Sequence, residues 1–220
     1  MYDPRKHHRQ SHRLKGYDYS LSAPYFATLC TENFRCLFGN VEREAMVPNA
    51  QGKMVEGWLT EIENKFPGVR IDSFQLMPNH LHAIICIMGG GLDMAAKFGI
   101  GIEDLDIESA GDNYGTPLPL ARTELPGLGP EQRDLGQIIR WFKTMTTNSY
   151  IRGVRGAGWQ PFHKRLWQRD YFDHIVRDEV TLERTRDYIR NNPLYWSLEQ
   201  EHPDRMGKDS FEQWLVQNEF

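Results

Sequence analysis

The sequence predicts an α+β fold in which helices pack on an antiparallel sheet. Three observations carry that prediction. Short β-prone runs and segments of helical periodicity follow one another in the order β, α, β, β, loop, α, β, α. Two of the strands flank the turn residues Pro78 and Asn79, as a hairpin would. No internal repeat is visible, and 220 residues, 40% of them hydrophobic, suit one domain with chain left over for insertions.

Taken in order, the basic arm 1–16 leads to "YFATLCT" (Tyr25–Thr31), an aromatic, β-prone first strand. A helix is expected over Gly52–Lys65, where Met54, Val55, Trp58, Leu59 and Ile62 recur at three- and four-residue spacing before the turn "FPG". "VRIDSFQLM" (Val69–Met77) and "HLHAIICIM" (His80–Met88) form the hairpin arms. Residues 89–132 hold nine Gly and four Pro among 44 positions and read as an insertion loop. An amphipathic helix follows in "RDLGQIIRWFKTMTTNSYI". Leu135, Ile138, Ile139, Phe142, Met145 and Ser149 fall on one face; Arg140, Lys143, Thr144 and Thr147 lie opposite. Trp159–Val176 suits a strand or an extended segment. A last helix starts near the N-cap residue Asp178 and stops at Pro193, because proline disfavours helix in the residue before it. The main domain is expected to span 17–196, with an acidic tail over 197–220.

Composition narrows the function classes. Cys30, Cys36 and Cys86 are odd in number, lack CxxC spacing and follow no apolar leader, so a reduced, cytoplasmic protein is expected. No run reaches the roughly 18 apolar residues of a membrane span, so no membrane partner is expected. The net charge of −4 conceals an uneven distribution. Arg133 to Asp170 contains eight bases against two acids, and the arm is basic too, whereas five acids and no base lie between Lys97 and Arg122. Two basic stretches of this kind can bind phosphates even in an acidic protein.

Two constellations carry chemistry. His80 and His82 sit at i and i+2 on a strand, so their side chains share a face about 6.7 Å apart and can converge on one ion. Two ligands fall short of the four of a structural zinc site, leaving positions for water or substrate. The spacing alone equally allows a pH-sensitive contact or two unrelated sheet histidines. In "RDYIRNNP" (Arg186–Pro193), Tyr188 and Asn192 are four residues apart on one helical face, roughly 5–6 Å apart at Cβ. A free phenol with a pKa of about 10 costs about 4 kcal/mol to ionise at pH 7, so a nucleophilic Tyr188 needs a base or a cation beside it.

Together, "MPNHLHAII", "IIRWFKTMTT", "WQRDYFDHIVRDE" and "YIRNNPLYW" resemble, in the same order, the IS200-like single-tyrosine HUH transposases, in particular the REP-associated tyrosine transposases. The resemblance runs from about Gly16 to Trp196. It implies a ferredoxin- or RRM-like sheet with helices packed on one face, acting on single-stranded DNA at hairpin (REP-like) sites. It implies that Tyr188 is the nucleophile, forming a 5′-phosphotyrosine link and a free 3′-OH. It further implies a divalent metal ion, Mg or Mn, on His80, His82 and Asn192, with Asn191 the substitute if Pro193 distorts the helix end. Arg140, Lys143, Arg152, Arg155 and the arm would track the DNA backbone, and Trp159, Phe162, Trp167 or Tyr171 could stack on bases. The chain would act as a monomer or as a homodimer that exchanges the tyrosine helix. The long insertion and the acidic tail depart from the compact family pattern, and the tail suggests no chemistry. Two other readings stay in view. One is a non-catalytic single-stranded nucleic-acid binding module on the same fold, the other a metal-dependent phosphoesterase using activated water.

Overall fold

The structure is a computed structural model and describes residues 16–88, 134–199 and 201–204. The arm before Gly16, the Gly/Pro-rich insertion and the end of the tail lie outside the described residues. The strands are β1 (Ala23–Cys30), β2 (Gly39–Glu42), β3 (Ala45–Pro48), β4 (Val69–Leu76), β5 (His80–Ile87) and β6 (Phe172–Ile175). The helices are α1 (Ala50–Lys65), α2 (Leu135–Gly156) and α3 (Glu179–Asn191). A 3-10 segment, Asn192–Leu198, continues α3. Four strands form one antiparallel sheet in the order β4-β5-β1-β6. With α1 and α2 as its crossovers, this is the split βαββαβ arrangement of ferredoxin-like folds.

Alternation along the two central strands separates the faces of the sheet. Tyr25, Ala27 and Leu29 of β1 and Leu81, Ala83, Ile85 and Ile87 of β5 point to one side. There they meet Val55, Leu59 and Ile62 of α1 and Leu135, Ile138, Ile139, Phe142 and Tyr150 of α2. The other side presents Phe26, Ile84 and Cys86, covered by Leu182, Tyr188 and Ile189 of α3. The α+β class and the shared face of the two crossover helices are as the sequence predicts, and α3 alone takes the opposite face. Each helix begins on a side-chain cap. Asn49, Asp134 and Asp178 accept from the amides of Gly52, Gln137 and Thr181 at 2.9, 2.9 and 2.8 Å, contacts worth about 1 kcal/mol each.

Two elements differ from expectation. In Trp159–Val176 only Phe172–Ile175 is strand; the stretch before it is irregular, held to the end of β1 by an isolated bridge between Thr31 and Trp167. The β2–β3 hairpin is additional. Its turn places Arg43 (φ 50°) and Glu44 (φ 64°) in the left-handed region, where Asn-Gly would be usual, so the sequence carries no turn cue there.

Candidate active site

The Pro78–Asn79 turn closes with the Met77 amide donating to the His80 carbonyl at 2.8 Å. Asn79 is fully buried, and its carboxamide orientation is fixed by two acceptors. Its Nδ2 donates to the carbonyls of Phe34 (2.9 Å) and Glu201 (2.7 Å), so Oδ1 faces His80 Nδ1 at 2.8 Å. A carboxamide oxygen only accepts, so His80 carries its proton on Nδ1 and, when neutral, turns a bare Nε2 toward the site. His82 is held through Nδ1, 2.8 Å from the Thr28 hydroxyl, which can donate or accept, and its ring stacks on Phe26 at 5.5 Å. The two Nε2 atoms approach to 3.0 Å. Outer groups that orient the rings in this way are typical of metal-ligating histidines.

Helix α3 brings Tyr188 over the same spot, its hydroxyl 3.5 Å from His82 Nε2 and its ring 5.2 Å from that of His82. Asn192, the first residue of the 3-10 segment, is fully buried, whereas Asn191 is exposed and outside the cluster. The sequence reading missed Glu199. This residue lies in the stretch assigned to the acidic tail, yet it is fully buried at the centre of the site. Its Oε1 accepts from Tyr188 Oη at 3.0 Å and from Asn192 Nδ2, and lies 3.3 Å from His82 Nε2. Its Oε2 lies 3.2 Å from His80 Nε2. Burial works against a charge on Glu199, but the facing His80 and His82 rings outweigh it and hold the carboxyl below the usual carboxylate range. Trp196, 5.7 Å from His80 between ring centres, forms the outer wall. No local signal marked Glu199, because it follows a 3-10 segment that begins at Asn192 and Pro193, beyond the expected end of the helix.

These groups suit a cation. One ligand atom each from His80, His82 and Glu199 lies within 4.8 Å of the others. Asn192 Oδ1 is buried without a hydrogen-bond partner among the described residues, which costs free energy unless something positive meets it. Glu199 Oε2 also lacks a hydrogen bond and faces His80 Nε2 at 3.2 Å. Two imidazoles, a carboxylate and a carboxamide form a mixed N/O set that accepts Mn and can hold Mg.

The expected backbone-tracking residues are not together. Arg140, Arg152 and Arg155 are exposed on α2, which covers the sheet face opposite Tyr188. Lys143 donates to the carbonyls of Gln168 (3.0 Å) and Asp170 (3.2 Å), and burial pulls its ammonium pKa down to about 8. It fastens α2 to the following loop. Trp167 is buried and donates to Thr146, Trp159 and Phe162 pack against the core, and Tyr171 lies beneath Lys143. No described helix is long and apolar enough to cross a membrane.

No protein-family model matches the chain. It is 37% identical over 203 residues to an uncharacterized protein of Haemophilus influenzae, across 90% of this chain and 95% of that protein. Among solved structures, a REP-associated tyrosine transposase bound to a REP hairpin is similar at 14% identity and a TM-score of 0.47, covering 94% of this chain and 88% of that one.

Proposed function

We propose that this chain, which belongs to one family with the uncharacterized Haemophilus influenzae protein, is a metal-dependent, IS200-like HUH transposase-type enzyme that cleaves and rejoins single-stranded DNA at hairpin sites. The observation that carries this reading is the position of Tyr188. Its hydroxyl lies in the same buried cluster as both histidines, 3.0 Å from Glu199 and 3.5 Å from His82. A core tyrosine has no need of two imidazoles and a carboxylate around its oxygen.

His80, His82 and Glu199, with Asn192 Oδ1, would hold a divalent ion such as Mg or Mn; when bound, the ion would supply Lewis-acid polarisation of the scissile phosphate. Tyr188 Oη would attack phosphorus. The Oη–P bond forms as the P–O3′ bond breaks, leaving a 5′-phosphotyrosine and a 3′ oxygen that leaves protonated. The proton of Tyr188 already points at Glu199 Oε1, which gives it an acceptor at the start of the step. Asn79 keeps His80 in its tautomer, Thr28 holds His82 through Nδ1, and Phe26 fixes the plane of the His82 ring. The phosphotyrosine conserves the energy of the broken bond, so a second 3′-OH can reverse the step without a nucleotide cofactor.

The test is a panel of single-stranded hairpin oligonucleotides incubated with Mg or Mn and run on denaturing gels. Wild type should form a covalent adduct; Tyr188→Phe should form none while still binding DNA. Glu199→Ala and His80→Ala should each weaken Mn binding, read by calorimetry, by about tenfold or more. Cleavage without an adduct would favour a phosphoesterase that activates water. Binding with neither cleavage nor adduct would favour a non-catalytic module.

A further inference from the structure

We infer that single-stranded DNA reaches the site along a basic rim at the His80 end of the sheet, formed by Arg152 and Arg155 of α2, Lys164, Arg165 and Arg169 of the following loop, and Arg35 after β1. This inference rests on the proposed single-stranded DNA substrate and names the surface that would hold its phosphates.

Topology places these residues together. Cys30, the last residue of β1, pairs with His80, the first of β5. The loop between α2 and β6 is tied to that same end. Glu32 donates its amide to the Leu166 carbonyl at 2.9 Å, Gln168 donates to Cys30 at 2.9 Å, and Arg35 Nη1 donates to the Pro161 carbonyl at 3.2 Å. Since β6 runs antiparallel to β1, the C-terminal end of α2 leads into this end of the sheet. Arg140 lies fifteen residues before Arg155 on α2, about 22 Å away along the helix axis, toward the other end.

The loop is built to hold its cations outward. Its aromatic residues are anchors: Tyr150 Oη donates to the Gln160 carbonyl at 2.9 Å, and Trp167 Nε1 donates to Thr146 Oγ1 at 2.8 Å. The Trp159 ring packs so closely on Gly153 that a Cβ there would come within 2.2 Å of it. Between these anchors Lys164 takes a left-handed backbone (φ 63°), a conformation that disfavours a residue with a side chain. Lys164, Arg165, Arg169, Arg152 and Arg155 are all exposed, and none of the six cations forms an ion pair among the described residues. The negative end of the α2 dipole accounts for a cation in its last turn. It does not account for three more on the loop beyond it. A row of cations without ion pairs on a rigid frame fits the phosphates of a strand.

The experiment is fluorescence anisotropy with a labelled single-stranded oligonucleotide across a salt series. It compares wild type, Lys164→Gln/Arg165→Gln/Arg169→Gln, and Arg140→Gln. Each single-strand phosphate contact contributes about 0.7 to the slope of log affinity against log salt, so the triple variant should lose about 2 from that slope. It should also bind at least about tenfold more weakly at low salt, with an unchanged melting temperature. Arg140→Gln should leave the slope near that of wild type. A triple variant with wild-type slope and affinity, an equal loss from Arg140→Gln alone, or a wild type that binds no single-stranded DNA would each overturn the rim. Rim-dependent binding without any phosphotyrosine adduct would support the rim and remove the transposase reading instead.

Discussion

Asn79 shows how much one side chain can organise. Its carboxamide ties together the Phe34 carbonyl, the Glu201 carbonyl and the Nδ1 proton of His80. It therefore sets the His80 tautomer and holds the segment that carries Glu199. Asn79→Ala should lower Mn affinity by about 10- to 100-fold, the usual cost of losing an outer partner of a ligating histidine. It should also lower stability by about 1–3 kcal/mol through the two carbonyls left unpaired. Calorimetric titration checks the first and urea unfolding the second. Unchanged Mn affinity would mean that His80 does not depend on this bond for its orientation. The sequence marked Asn79 only as a turn residue, because turn propensity is local and its partners lie 45 and 122 residues away. For the same reason Glu199 stayed among the acids of the tail, whereas the spacings of His80 with His82 and of Tyr188 with Asn192 were visible within single elements.

At the scale of elements, α3 is positioned by a defect in β4. The β4–β5 register shifts between Ile71 and Ser73, and the extra residue, Asp72, is the one that meets α3. Bulges near functional sites often redirect a side chain in this way. Asp72 takes both Nε and Nη2 of Arg186, two residues before Tyr188, and Arg186 also engages Glu183. With side-chain exposures of 24% for Arg186 and 10% for Asp72, this forked pair is sheltered enough to contribute about 1.5–3 kcal/mol. Asp72→Ala and Arg186→Ala should each speed amide exchange in α3 while leaving α1 and α2 protected, and the double variant should be no worse than the more damaging single one. Additive effects in a double-mutant cycle would show that the two side chains act separately. The helices were legible from 3.6-residue periodicity and their Asn or Asp caps. The bulge and the β2–β3 hairpin were not, since neither depends on a residue type that marks it.

For the whole molecule, the two faces of the sheet divide the work. The long crossover helices α1 and α2 bury one face, and the other is left for α3 and the polar cluster. That division was hidden in the sequence because β5 is buried on both sides and reads as a continuous apolar run apart from its histidines. The connection to the tyrosine helix is short. Only residues 176–178 separate Ile175 of β6 from Glu179 of α3, a span of about 14 Å at full extension. Helix α3 is also held by Leu182 and Ile189 against Phe26, Ile84 and Cys86, burial worth about 1.5–3 kcal/mol for each large side chain. A helix on so short a tether cannot settle on a second copy's sheet unless the two sheets almost touch, so Tyr188 should act on DNA held by its own His80 and His82. Co-expressing Tyr188→Phe with His80→Ala, each under its own tag, makes mixed assemblies possible. The mixture should form no more adduct than either variant alone. Recovery of a substantial fraction of wild-type adduct would mean that α3 of one copy completes the site of another, and the link between β6 and α3 would then have to open.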